Sequence, residues 1–280
     1  MKKIFRFFVK IGNRVSESNA YAFAASAAYF IFLSFVPIIM LVTSILPLTN
    51  LDISGVIGRY DDFFPAYLLA FLRDIYSEHN KTSVALISIS AFMTLWVSGK
   101  GFWALMNGLN SAYQVKEKRN FVYLRFWGAI YTVIFIVLIL FSLMILVYGR
   151  VIGSYVKHNV PFMDGIIDFL MKFRFLYGFA ILTFSFQMVY TFIPNVKLRA
   201  MEQLPGALFS SVGWTVFSYA FSLYIKYSGS FSMYGSLATI IIMLFWLYYV
   251  MYILILGGII NHYFRTYTNV IRGKRGDKTS

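Results

Sequence analysis

The chain has 280 residues, 59% of them hydrophobic and only 13% charged, with a formal net charge of +14 and no cysteine. Ordinary soluble domains carry about 25% charged residues, so a water-soluble globular fold is excluded, as are disulfides and thiolate metal sites. The basic excess alone would fit a nucleic-acid partner, but the positions of the charges along the chain decide against one.

Residues 1–20 place Ile4, Phe7, Phe8 and Ile11 at helical spacing, with Lys3, Arg6, Lys10 and Arg14 on the other side. This pattern predicts an amphipathic helix lying on the cytoplasmic leaflet, where its basic residues meet the anionic head groups of membrane lipids. The first long apolar run, 21–46, exceeds the ~7–15-residue core of a signal peptide and is predicted to cross the membrane. Ala20, Ala24 and Ala28 form a small-residue stripe that lets a second helix approach. Pro37 deletes one backbone hydrogen bond and predicts a kink, either as a packing device or as a hinge. The segment 48–82 is predicted to lie outside the membrane as one or two amphipathic helices broken near Pro65.

The second predicted span, 83–110, holds Lys100, the one full charge well inside an apolar run. An ionisable group within a membrane is a functional candidate by default, although a lysine can also extend its stem to the nearer surface. Gly99 and Gly101 flank it, and Asn107 and Asn110 follow before a basic loop of Lys116, Lys118, Arg119 and Arg125. The third span, 126–147, is nearly featureless and predicted to face lipid, and an outer segment, 150–172, follows. The fourth span, 173–193, contains Gln187, whose amide suits a hydrogen bond to a neighbouring helix, and Pro194 ends it. The fifth, 204–224, carries a small-residue stripe of Gly206, Ser210 and Gly213. A turn at 228–235 leads to the sixth, 236–260, with Trp246 in its later half and Gly257 near its end. The basic residues from 265 to 280 predict a disordered tail.

The fold class is therefore all-α: a polytopic membrane protein with six transmembrane helices in residues 21–264, plus amphipathic helices at the N-terminus and in the outer loops. Sixteen of the 25 Lys and Arg residues fall in the N-terminus, the two basic loops and the tail, eight fall in the opposite segments, and Lys100 is the remaining one. This bias predicts both termini in the cytoplasm and accounts for the basic charge without nucleic acid. No HExxH, GxSxG or His–carboxylate cluster is present, and the predicted spans contain no carboxylate. The sequence thus predicts no enzyme activity, no metal and no cofactor. The polar groups within the spans, Lys100, Asn107, Asn110 and Gln187 among them, suit the path of an amphiphile better than a proton relay, and are equally compatible with helix packing.

Four segments in order resemble the YihY/BrkB family of bacterial inner-membrane proteins, once mislabelled ribonuclease BN: AASAAYFIFLSFVPI, ALMNGLNSAYQVKEKR, YTFIPNVKLRAMEQLPGALFSSVGW and SMYGSLATIIIMLFWLYYVMYILILGG. The resemblance runs over nearly the whole chain. It implies six membrane helices in the cytoplasmic (inner) membrane and no enzyme activity, and it links the chain loosely to envelope lipid export. The family-like positions are Tyr29, Ser34, Pro37, Asn110, Pro194, Pro205, Gly206, Tyr234, Gly235, Trp246 and Gly257. Ile259 stands where family members often carry a glutamate. Two functions follow as expectations. One is a transporter or flippase-like protein for a lipid or other amphiphile, with a path between the first, second, fifth and sixth spans near Lys100, Tyr29, Ser34 and Tyr234. The other is an envelope scaffold or assembly factor, acting through a homo-oligomer or an envelope partner. A ribonuclease is a distant third.

Overall fold

The computed structural model describes residues 2–45, 84–120, 122–124, 126–128, 130, 172–227 and 235–276. The predicted third span, both outer segments and Tyr234 lie wholly or largely outside the described residues. Among the described residues the long helices are α1 (Lys2–Glu17), α2 (Ala20–Ile45), α3 (Val84–Ala112), α4 (Arg174–Phe192), α5 (Leu204–Tyr227) and α6 (Gly235–Gly276), with a 3-10 turn at Ala200–Gln203 before α5. There is no strand among the described residues. Among the described residues, four stretches are long and apolar enough to cross a bilayer: Ala20–Ile38, Phe175–Phe192, Ala200–Ile225 and Ile240–Arg265. The protein is an all-helical, multi-pass membrane protein.

The chain divides into two compact units, one of residues 1–29 and 101–280, the other of residues 30–100. In the first, α5 packs on α6 and on α4, while α1 touches α6. The α5–α6 crossing is set by two glycines. A Cβ added at Gly206 would run into the Gly257 carbonyl oxygen and the Asn261 amide, and one at Gly257 would meet the Ser210 and Tyr190 hydroxyls. Helix backbones that meet this closely leave no room for a side chain, and in lipid such packing is a main source of helix association. Gly213, about two turns beyond Gly206 on α5, would put a Cβ 3.0 Å from Ile253 Cγ2. Trp246 then extends the seam, edge-on to Trp214 at 6.0 Å between centroids.

Local sequence explains the helix ends. Asn19 sits in the left-handed region at φ 50° between α1 and α2, a conformation asparagine tolerates better than most residues. After α3, Gln114 takes φ 59°, and the Val115 and Gln114 amides donate back to the Asn110 and Ser111 carbonyls at 2.8 and 3.1 Å. That is the double hydrogen bond of a Schellman C-cap. Pro205 occupies the first turn of α5, where its missing N–H costs nothing. Pro37 is buried inside α2, which continues to Ile45. Ala20, Ala24 and Ala28 are all buried.

The sequence predicts a disordered tail from residue 265, but α6 runs unbroken to Gly276. No glycine or proline interrupts residues 259–272, so nothing in the backbone stops the helix. Its 42 residues make it about 63 Å long at ~1.5 Å per residue, roughly twice a bilayer's hydrocarbon core, so it must project beyond the apolar slab.

The Gly206 contact predicts a large asymmetry between glycines. Gly206→Ala should lower stability in detergent by about 3 kcal/mol, since the obstruction includes backbone. Gly12→Ala, with nothing within 4 Å, should stay within about 1 kcal/mol of wild type. Thermal unfolding of both variants checks the contrast.

Candidate functional site

The polar chemistry of the first unit gathers at one end, and it starts at the glycine crossing. Tyr190 of α4 is fully buried; its hydroxyl donates to the Leu254 carbonyl of α6 at 2.8 Å and lies 2.6 Å from Ser210 Oγ. Ser210 in turn donates to the Ile253 carbonyl at 3.1 Å. One helical turn from Gly257, Asn261 accepts from the Gly206 amide at 2.6 Å. That amide belongs to the first turn of α5, where N–H groups have no partner within their own helix, so Asn261 acts as a cap supplied from α6.

Beyond it, Tyr113 at the end of α3 donates to Gln203 Oε1 at 2.6 Å, and Gln203 is fully buried. Burial pushes the Tyr113 phenol up, against the opposing pull of the Asn261 amide and the Arg265 charge, so it remains a neutral donor. Gln187 reaches from α4 to the Ala200 carbonyl at 2.9 Å. Arg14 of α1 donates to the Ser111 carbonyl, and the Ser111 hydroxyl donates to the Ser18 carbonyl at 2.9 Å.

The outermost layer is a clasp built on Glu117. Its carboxylate accepts from Asn110 Nδ2 at 2.8 Å, from Arg119 Nε and Nη2 at 2.9 and 2.8 Å, and from the backbone amides of Lys118 and Arg119 at 3.0 and 2.8 Å. Arg119 also donates to the Ile193 carbonyl at 2.9 Å, and Asn110 Oδ1 accepts from the Asn195 amide at 2.7 Å. The end of α3 is thereby joined to the end of α4. Burial alone would raise the Glu117 pKa, but hydrogen bonds from Arg119 and Asn110 outweigh it and hold the carboxyl at about 2. Glu17 and Glu202 pair with Arg14 and with Arg199 and Arg265, so each carboxylate among the described residues is matched by a cation.

The sequence candidates therefore separate. Asn110 and Gln187 come together at this end, with their amides engaged by protein. Pro194 is buried in the turn that closes α4. Gly206, Ser210 and Gly257 meet at the crossing, and Trp246 Nε1 is 3.4 Å from Ser218 Oγ. Asn107 is half-buried and Tyr29 is exposed. Gly101 is buried, and Gly235 is the first residue of α6. Ile259 is 1% exposed, an apolar filling where the resemblance implies a glutamate.

In the second unit, Ser34 is buried and donates to its own helix at the Ile31 carbonyl, and Gly99 is buried. Lys100 is exposed, with Nζ 5.4 Å from the centroid of the Phe30 ring. Tyr190, Asn261, Gln203, Tyr113 and Glu117 are the residues that the sequence does not single out. The i, i+4 repeats Gly206/Ser210 and Gly257/Asn261 are the signal that points to two of their contacts. No three His, Asp or Glu side chains among the described residues stand close enough to share a metal ion.

The family profile described as "Virulence factor BrkB" matches residues 11–279. The chain belongs to the BrkB family. Among its BrkB relatives, the ribonuclease-like protein YfkH of Bacillus subtilis is 31% identical over 260 residues, covering 91% of this chain and 94% of its own length. A UPF0761 membrane protein of Glaesserella parasuis is 27% identical, covering 71% of this chain and 68% of its own. Another, from Pseudoalteromonas translucida, is 33% identical over 38% of this chain and 36% of its own. No solved structure matches.

Glu117 makes the clasp pH-dependent in a defined direction. A carboxyl whose pKa is lowered by folding stabilises the fold above its unfolded value, and that contribution is lost as the pH falls toward the folded value. Glu117→Gln should be less stable than wild type by roughly 2 kcal/mol at neutral pH. The gap should narrow below about pH 4.5 and vanish near pH 2. Paired unfolding curves across that range test it.

Proposed function

We propose that this BrkB-family protein moves a lipid or other amphiphile across the cytoplasmic membrane, acting as a transporter or flippase-like protein and not as an enzyme. The observation that carries this reading is Lys100. It lies within the apolar run of α3, and among the described residues its ammonium group meets an aromatic ring and no carboxylate. A ring face attracts a cation but does not neutralise it, so the charge is left for an anionic group such as a lipid phosphate. Head-group phosphates are the commonest anions that a membrane helix meets.

The same reading has both termini and the clasped end in the cytoplasm. The distribution of basic residues supports this, as does the way that α1, the loop after α3, the loop after α4 and the later part of α6 gather at one end of the first unit. The ribonuclease-like label belongs to YfkH, and among the described residues no cluster of three His, Asp or Glu side chains calls for it.

Reconstitution into liposomes containing fluorescent phospholipids tests the transport reading. Wild type should speed lipid exchange between leaflets at least tenfold over protein-free vesicles, and Lys100→Ala should remove most of that gain. Wild-type exchange at the protein-free rate would remove the transport reading and leave the scaffold. Orientation has its own test, because the chain contains no cysteine. A thiol introduced by Lys118→Cys or Lys197→Cys should react with an impermeant maleimide only after cells are permeabilised.

A further inference from the structure

Hydroxyl side chains in a helix usually donate to a carbonyl three or four residues back, and most in this protein do. Ser88 donates to Val84, Thr183 to Phe179, Thr191 to Gln187, Ser211 to Ala207 and Thr215 to Ser211. Three hydroxyls of α3 neither do so nor bond to another element among the described residues. Ser90, Thr94 and Ser98 are 2%, 7% and 4% exposed, and none of their hydroxyl oxygens has a hydrogen-bond partner among the described residues. They follow one another at i, i+4 and i+8, so they form a ladder on one face with rungs about 6 Å apart. Ser88, on the same helix, is exposed and still satisfies itself. The ladder hydroxyls are turned away from the carbonyls that their neighbours use.

An unpartnered hydroxyl is costly in an apolar setting, and three in register are not explained by packing, since alanine and valine would fill the same space without a polar atom. Each hydroxyl both donates and accepts. The ladder carries no charge of its own, and Lys100, two residues beyond Ser98, is turned about 200° from it. This chemistry suits neutral oxygen ligands and suits ions poorly.

We propose that Ser90, Thr94 and Ser98 form a polar track along α3 that binds neutral oxygen groups, either water or the hydroxyls of a sugar-like head group. The track does not depend on the transport reading, because binding along it requires no net movement of lipid and no role for Lys100.

The test uses single thiols in the cysteine-free full-length chain, made by Ser90→Cys, Thr94→Cys and Ser98→Cys and reconstituted in phosphatidylglycerol nanodiscs. Ile89→Cys, Phe92→Cys and Leu95→Cys, at exposed positions on the same turns, serve as controls. A charged, membrane-impermeant methanethiosulfonate reagent needs water to reach a thiol. The three ladder thiols should react at least tenfold faster than the controls.

Adding a diglucosyl lipid to the nanodiscs distinguishes the occupants. Slower ladder labelling identifies a sugar head group, and unchanged labelling identifies water. Ladder thiols no faster than the controls, whether both are slow or both fast, would overturn the proposal. Water-edited solid-state NMR of the wild type gives the same answer without substitutions. Polarisation transfer from water should reach Ser90, Thr94 and Ser98 but not Ile89 or Leu95, and its absence from the ladder would also overturn the proposal.

Discussion

Where α5 crosses α6, two glycines let the helix backbones come into contact, and much of the first unit is arranged around that approach. In a bilayer the hydrophobic effect gives no net pull between helices, because lipid chains are as apolar as the side chains they replace. Close fit and hydrogen bonding must hold the pair instead. Gly206 and Gly257 supply the fit. Ser210 and Tyr190 supply bonds to the Ile253 and Leu254 carbonyls, and Asn261 takes up an otherwise unpaired amide at the start of α5. Because Tyr190 belongs to α4, the same knot fixes a third helix.

From that knot, hydrogen bonding spreads to one end of the unit and becomes steadily more polar. Tyr113 and Gln203 form a buried neutral pair; beyond them lies the charged clasp of Asn110, Glu117 and Arg119. Neutral groups sit deeper and ion pairs nearer the surface, as expected from the cost of desolvating charge. The clasp ties two loops whose residues are far apart in sequence, so the ends of α3 and α4 are held against each other.

The helix segment Val84–Lys100 differs in that three of its buried hydroxyls find no partner among the described residues. Ser90, Thr94 and Ser98 are buried and unbonded, and Lys100 has a ring for a neighbour. The first unit thus engages most of its buried polar side chains, while this part of α3 leaves three hydroxyls open.

The sequence by itself determined the solvent and much of the skeleton. Long apolar runs, basic loops and small-residue repeats are local features, and bilayer thickness converts them directly into helices. Gly206, Ser210 and Gly257 were legible for that reason: small residues at i, i+4 spacing mark a close contact whatever the partner is. Which partner they meet was not legible. The Asn261–Gly206 bond spans 55 positions and the Tyr113–Gln203 bond spans 90, and no periodicity encodes a pairing at that range. Asn110 and Gln187 show the same limit. Their polarity within apolar runs marked them as unusual, but only the fold decided that loops and turns would occupy their amides. Serine and threonine in α3 looked like ordinary helix residues, because whether a hydroxyl bonds its own backbone or faces away depends on rotamer and neighbours, which tertiary packing alone sets.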